Sequence, residues 1–427
     1  MGKRVTLMGL GLLGRGVGDA EFLAPLCKEL VVTDLKSESE LAASLERLKK
    51  FPNITYHLGG HQEKDFTDTD MVLKAAGVPL NSPYIAVARA KGVPVYMSSA
   101  LLAKFAGESG ATIVGVTGTR GKSTTSALIF YALQTAGRPA YEGGNVRDVS
   151  TLALLPKIKK GDAVVLELDS WQLQGFGDLR ISPHIAVFTN LLDDHKNYYA
   201  QNPEQYFWDK ANIFLHQKSG DKLVMGEQVL NRIRSANPPV APLVPPPIPA
   251  DWQLQIIGEH NKINAALAAA ALRMLGLKDT EIKAAFESFK PVEGRLQLVR
   301  EVNGVKIYND NNATTPEATL AALGSFSEPV ILIAGGADKN LDMSEFVNQI
   351  KNCKKVLLLE GTGTDRIKNQ ILNTTIYRSI PEVVKDAVAA AQPGDVILFS
   401  PAFASFGMFK NEYDRNDQFL DAVKMLQ

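Results

Sequence analysis

Cysteine is nearly absent. The 427 residues include two, Cys27 and Cys353, far apart and without metal-ligand spacing, so neither a disulfide framework nor a structural zinc site is supported and a reducing compartment is expected. Net charge is absent as well: 46 Lys and Arg balance 46 Asp and Glu, and no global field draws the chain to nucleic acid or to an anionic membrane. No apolar run reaches the roughly 20 residues that span a bilayer. The run from Val5 to Val17 is interrupted by glycines and followed by Asp19 and Glu21 without a small-residue cleavage site, which suits a strand and loop rather than a signal peptide or an acylated tail. A cytoplasmic monomer is the expectation. Biased sequence is confined to 237–249, where seven prolines predict a surface excursion too rigid and donor-poor for an internal strand or helix.

What is present is an ordinary globular composition, 45% hydrophobic and 22% charged, on a chain long enough for about three domains. Apolar β-branched runs alternate with helical patterns throughout, the signature of parallel sheets joined by crossover helices, so the fold class is α/β. One set of runs, at 4–8, 30–33 and 71–74, ends near 94–97; a second holds 112–116, 163–168 and 185–189; a third holds 330–334, 355–359 and 396–400. The expected domains are a Rossmann-like 1–103, a phosphate-loop ATPase-type 104–290 and a Rossmann-like 291–427. The Ala-rich stretch 264–275 predicts a helix stopped at Gly276.

Two glycine motifs carry chemistry. Gly9, Gly11 and Gly14 follow the first apolar run, with Asp34 twenty positions beyond Gly14. This is the dinucleotide fingerprint, in which loop amides approach a pyrophosphate and the carboxylate accepts a hydrogen bond from a sugar hydroxyl. Alone it suggests an NAD-dependent oxidoreductase. The second motif, Gly115 to Ser123, reads GVTGTRGKS between a β-branched strand and a helical pattern. Its loop amides would hold phosphates, Lys122 would neutralise β/γ charge and the Ser123 hydroxyl would ligate magnesium, which redirects the reading to ATP chemistry. Glu167 and Asp169 close the run 163–168 and would share one strand face if the strand persists, either able to bind magnesium. His195 follows the next run, at the strand ends where ligands bind. A nucleotide-binding protein that uses the loop only as a switch is the non-catalytic alternative.

Taken together these residues resemble the Mur ligase family. The resemblance runs along the whole chain: GLGLLG at 9–14, TGTRGKS at 117–123, ELDSWQL at 167–173, TNLLDDH at 189–195, GEHNKINA at 258–265, EGR at 293–295 and SPAFASF at 400–406. It implies an ATP- and Mg2+-dependent amide-bond ligase of peptidoglycan precursor synthesis, acting through an acyl phosphate. The opening and ending motifs are most similar to the member that joins D-glutamate to UDP-N-acetylmuramoyl-L-alanine, with L-glutamate or another amino acid as alternative acceptor. By motif match, Gly118, Thr119, Gly121, Lys122, Ser123, Thr124, Asn264, Arg295 and Asp310 would contact ATP. Gly11, Leu12, Leu13, Asp34 and Asn145 would hold the UDP-sugar, and Lys339, Ser405 and Phe406 the incoming amino acid. Ser123, Glu167, His195 and Lys210 would form the metal region, with Lys122, His195 and Lys210 catalytic. Lys210 falls where the family carries a lysine modified by carbon dioxide. The chain departs from the family pattern at Arg120, at Asn145-Val146-Arg147-Asp148, at Asp169-Ser170-Trp171, and at Asn312, where a lysine is usual.

Overall fold

The computed structural model describes residues 2–426 apart from 13, 80, 148, 193, 195, 200, 201 and 373, and at 196, 197 and 203 it describes the backbone alone. Seventeen strands form three sheets among the described residues. The first sheet contains β1 (Arg4–Met8), β2 (Glu29–Asp34), β3 (Ile54–Leu58), β4 (Met71–Lys74) and β5 (Val95–Tyr96) in the order β3-β2-β1-β4-β5. The second contains β6 (Thr112–Thr117), β7 (Ala140–Gly144), β8 (Ala163–Glu167), β9 (Ile185–Phe188), β10 (Lys222–Met225) and β11 (Pro242–Leu243) in the order β11-β10-β9-β6-β8-β7. Every pairing in both is parallel. Parallel strands are covered by helices on both faces, so they appear in sequence as unbroken apolar runs rather than alternation. Val164, Val165 and Leu166 of β8 are all fully buried.

The third sheet contains β12 (Gln297–Val302), β13 (Val305–Asn309), β14 (Val330–Gly335), β15 (Lys355–Leu359), β16 (Thr375–Tyr377) and β17 (Val396–Phe399), in the order β12-β13-β17-β14-β15-β16. Its edge departs from the parallel rule, because β12 and β13 form an antiparallel hairpin. Asn303 and Gly304 turn it with φ of 50° and 75°, the left-handed pair that a two-residue hairpin loop requires. The proline stretch stays at the surface, as expected. It supplies the edge strand β11, paired to β10 at Leu223↔Pro242 and Val224↔Leu243; an edge tolerates proline because its missing N–H faces no further strand.

By contact the chain forms two compact units, one of residues 1–192, 202–246 and 267–282 and the other of 193–201, 247–266 and 283–427. The first unit holds the first two sheets and the second the third. The helices that matter for the site are α1 (Arg15–Leu23), α2 (Ser98–Glu108), α3 (Lys122–Thr135), α4 (Ser170–Leu179), α5 (Pro203–Ala211), α6 (Glu259–Met274) and α7 (Glu412–Lys424). α6 is the Ala-rich helix, and it starts five residues earlier than expected. Among the described residues no helix is long and apolar enough to cross a membrane.

In the first two sheets the strand order reverses at one strand each, β1 and β6. The carboxyl end of such a strand opens onto a crevice, which is where open α/β sheets bind ligands. Both glycine motifs lie there.

Candidate active site

The turn after β6 is built tightly. Gly118 has φ +138°, and a Cβ there would lie 1.9 Å from Thr189 Oγ1; the Thr189 hydroxyl in turn donates to Arg120 O at 2.5 Å. Asn190 Oδ1 accepts from the Arg120 N–H at 2.9 Å, and Thr119 N–H donates to Asn190 O at 2.9 Å. Gly121, at φ +83°, then starts α3, leaving the first amides of a helix directed at the crevice. Lys122 Nζ folds back to donate to Gly118 O at 3.1 Å and Thr119 O at 3.0 Å. From α5, Lys210 Nζ donates to the same Gly118 O at 2.9 Å. Lys210 is 1% exposed, its Nζ 4.8 Å from the centroid of the Tyr206 ring, whose hydroxyl is 3.1 Å from Thr119 Oγ1. Two ammonium groups thus converge on one loop carbonyl. Lys210 is buried and Lys122 partly so, and two ammonium groups at one glycine turn complement the charge of a bound phosphate.

The carboxylates lie on the neighbouring strands. Glu167 ends β8 and is buried. Asn145 N–H donates to Glu167 O at 2.8 Å, and Asn145 Nδ2 reaches Glu167 Oε1 at 3.5 Å. Glu142, two residues before the end of β7, has its carboxyl pushed up to about 7, first by burial and then by the Glu167 charge. Two carboxyls whose charges oppose one another are a place that a divalent cation would relieve. Magnesium needs only one or two carboxylates beside phosphates and water, so Glu167 with Ser123, on the first turn of α3, fits it. Among the described residues no cluster of three His, Cys, Asp or Glu side chains forms a closed cage, and His195 lies outside the described residues. Asp169 does not join this set: β8 ends at Glu167, and Asp169 is the N-cap of α4, its carboxylate accepting Gln172 N–H at 2.8 Å in a capping box. The strand does not persist, so the shared face expected of Glu167 and Asp169 is lost.

The first glycine turn uses a carboxylate instead. Asp34, at the end of β2, is buried; its Oδ2 accepts Gly11 N–H at 3.0 Å and its Oδ1 accepts Lys36 N–H at 2.9 Å. It therefore braces the turn as well as facing it, with lone pairs left for a sugar hydroxyl. Leu12 is half exposed, and Leu13 lies outside the described residues. Arg15 escaped the sequence reading: its Nη1 donates to Asn145 Oδ1 at 2.6 Å, tying the first turn to the asparagine beside Glu167. The available signal was an arginine directly after the last glycine of the motif. One turn further along α1, buried Asp19 accepts from Ser98 at 2.9 Å and Ser150 at 2.6 Å, and burial pushes its carboxyl up to about 6.

The second unit holds the remaining candidates. Asp310 is buried and braces its own unit, Oδ1 accepting Leu296 N–H at 3.1 Å and Oδ2 accepting the Ser400 hydroxyl at 2.8 Å. Arg295 Nη1 reaches Asn312 O at 3.4 Å. Lys339 Nζ donates to Thr314 Oγ1 at 3.1 Å and lies 3.7 Å from Asp194 Oδ1. Ser405 is buried, whereas Phe406 beside it is 64% exposed, a large apolar ring held at the surface next to a buried hydroxyl. Asn264 is buried on α6, donating to Asn261 Oδ1 at 3.1 Å. The Asn312 amide donates to Glu293 O at 3.3 Å.

Three family models match: Mur ligase MurD-like, N-terminal domain at residues 3–97, Mur ligase middle domain at 116–238, and Mur ligase, glutamate ligase domain at 294–403. The UDP-N-acetylmuramoylalanine--D-glutamate ligase of Roseiflexus sp. (strain RS-1) is 35% identical over 468 residues, covering 99% of this chain and 98% of that protein. Among solved structures, UDP-N-acetylmuramate-alanine ligase MurC from Thermotoga maritima aligns with TM-score 0.64 at 18% identity over 99% of both chains. MurF ligase from Thermotoga maritima in complex with ADP aligns with TM-score 0.61 at 17% identity, over 93% of this chain and 94% of that one. With that relative matching from end to end, and with three α/β domains in the order of the family models, the chain belongs to the Mur ligase family.

Proposed function

We propose that this chain joins D-glutamate to UDP-N-acetylmuramoyl-L-alanine at the expense of ATP, a cytoplasmic step of peptidoglycan precursor synthesis. The observation that carries the reading is the convergence of Lys122 and Lys210 on Gly118 O, within a glycine turn whose following helix offers its amides to phosphate. The name of the Roseiflexus relative supports the substrates, and the ADP in the MurF structure supports the nucleotide.

A carboxylate cannot be displaced by an amine directly, because oxide would have to leave. In the proposed reaction a carboxylate oxygen of the L-alanyl group bonds to the γ-phosphorus of ATP as the bond to the β,γ-bridging oxygen breaks, giving an acyl phosphate and ADP. The neutral D-glutamate amine then attacks the acyl carbon, phosphate leaves, and the amine proton passes to solvent or a nearby base. Lys122 and the amides at the start of α3 stabilise the charge spread over the transferring oxygens. Thr119, Ser123 and Thr124 line the same turn. Magnesium, held by Ser123 and Glu167 with His195, would screen phosphate charge. Lys210, enclosed against Tyr206, is proposed to exchange its ammonium for a carbamate, whose one remaining N–H can keep the Gly118 O contact while its carboxylate would serve magnesium, a modification that intact mass and 13C-bicarbonate labelling would register. Gly11, Leu12, Asp34 and Asn145 hold the UDP-sugar, with Leu13 assigned by motif alone. Asn264, Arg295 and Asp310 serve ATP, and Lys339, Ser405 and Phe406 serve the acceptor.

A second reading keeps the chemistry and changes the acceptor, because an uncharged amide stands at Asn312. One assay separates the two. Purified protein with ATP, magnesium and UDP-N-acetylmuramoyl-L-alanine is offered D-glutamate, L-glutamate and other amino acids while phosphate release and product mass are recorded. Turnover is expected with D-glutamate; phosphate release that no amino acid accelerates would refute both readings.

A further inference from the structure

The third sheet encloses a cation that the reaction above does not use. Arg415, in the first turn of α7, is 0% exposed. Its Nε donates to Asn311 Oδ1 at 2.8 Å, its Nη2 to Asn311 O at 2.9 Å and its Nη1 to Phe403 O at 3.1 Å. All three acceptors are neutral. Glu412 is the carboxylate whose field favours the charged form, while burial pushes the guanidinium down to about 10, so it stays charged at neutral pH. A buried charge held only by neutral acceptors is costly, and its persistence calls for a role that apolar packing would not fill.

Its placement supplies one. Asn311 follows β13 and Phe403 follows β17, strands paired in parallel with Asn309 opposite Phe399. Both acceptors therefore lie just beyond the carboxyl ends of adjacent strands, where open α/β sheets bind ligands. The loop after β13 carries Thr314, which receives the Lys339 ammonium; the loop after β17 carries Ser405 and Phe406. Asn311 completes the staple. Its N–H donates to Asn309 Oδ1 at 3.1 Å and its Nδ2 to Glu412 O at 2.9 Å, joining both loops to the start of α7. Asp194 stands 3.7 Å from Lys339 and offsets part of that lysine's charge, whereas Arg415 has no carboxylate within 4 Å among the described residues.

We propose that Arg415 is a positioning residue that sets acceptor specificity: it staples the two loops from beneath and supplies the enclosed positive field that favours a dicarboxylic amino acid over a neutral one. The proposal rests on the acceptor reading of Lys339, Ser405 and Phe406. Its test compares wild type, Arg415→Gln and Arg415→Lys in the full chain for KM of each substrate, kcat, thermal midpoint and preference for D-glutamate over D-glutamine. Arg415→Gln is expected to raise the KM for D-glutamate at least tenfold, to leave the KM for ATP within twofold, and to erode the preference for glutamate. Arg415→Lys, which keeps the charge but reaches fewer acceptors, is expected to restore the preference while kcat stays low. An unchanged glutamate KM in folded Arg415→Gln, or an equal loss for all three substrates, would overturn the proposal; should Arg415→Gln not fold, Arg415→Lys decides, a wild-type kcat or a lost glutamate preference overturning it. Wild type that forms no glutamate adduct would instead sink the acceptor reading, and this proposal with it.

Discussion

The two glycine turns of the first unit are built on one plan and differ in the charge they present. Each leaves the strand at which its sheet reverses and enters a helix through a left-handed glycine N-cap, Gly14 at φ 74° and Gly121 at φ 83°. At the first, a carboxylate from β2 takes the Gly11 amide, and a Cβ added at Gly11 would meet open space. At the second, two lysines share the Gly118 carbonyl, and a Cβ at Gly118 would strike Thr189. Strand, turn and helix give both sites the same donors. The side chains brought against them decide whether the turn suits a sugar hydroxyl and a diphosphate or a triphosphate whose terminal charge moves.

If that contrast is correct, Lys122→Ala has the largest effect: phosphate release falls by about a thousandfold or more, while calorimetry still detects UDP-N-acetylmuramoyl-L-alanine binding. A wild-type rate in this variant would remove the second turn from the chemistry. Next comes Gly118→Ala, expected to lower kcat about a hundredfold as the Thr189 contact displaces the loop. Gly11→Ala meets only the left-handed φ cost, about 1 kcal/mol, so it should change kcat a few-fold at most; the reverse order would break the comparison. Asp34→Asn weakens acceptance from a hydroxyl and is expected to raise the KM for the UDP-sugar about tenfold with the KM for ATP unchanged, as steady-state kinetics would show.

The smallest effect lies on the helix behind the first turn. Asp19 is held near 6 against 3.8 for an ordinary aspartate. Its folded state therefore binds a proton more tightly than the unfolded chain, so stability falls as pH rises from about 4 through 6 and stays reduced above that, by on the order of 3 kcal/mol at most. Asp19→Asn keeps an oxygen for Ser98 and Ser150 and removes the charge. Thermal melts should show it stabilised by a few degrees at pH 8, with the gain gone at pH 4; a constant gain across that range would mean that charge is not the cause.

Much of the architecture was legible because buried parallel strands leave unbroken apolar runs, and β1, β4, β6, β14 and β15 lie within a residue of their expected ranges. The β12–β13 hairpin was equally legible, since Asn303-Gly304 between two strand-forming runs is a strong turn signal, yet the surrounding α/β rhythm masked it. Asp169 misled because a carboxylate two residues past another reads as a shared strand face until the chain turns into a helix. Lys210 had no local signal at all: a lysine on a polar helix looks like surface, and its partner Gly118 is 92 residues away.

The order of residues by itself determined the strands, the two glycine turns and the nature of the groups set at them, because backbone geometry and burial respond to neighbours a few positions apart. Tertiary structure alone decided that Lys210 and Lys122 share one carbonyl, that Arg15 reaches Asn145 and that Arg415 lies enclosed under two loops. Those contacts join segments tens to more than a hundred residues apart, and the energy of a buried charge depends on what the fold places around it rather than on what precedes or follows it in the chain.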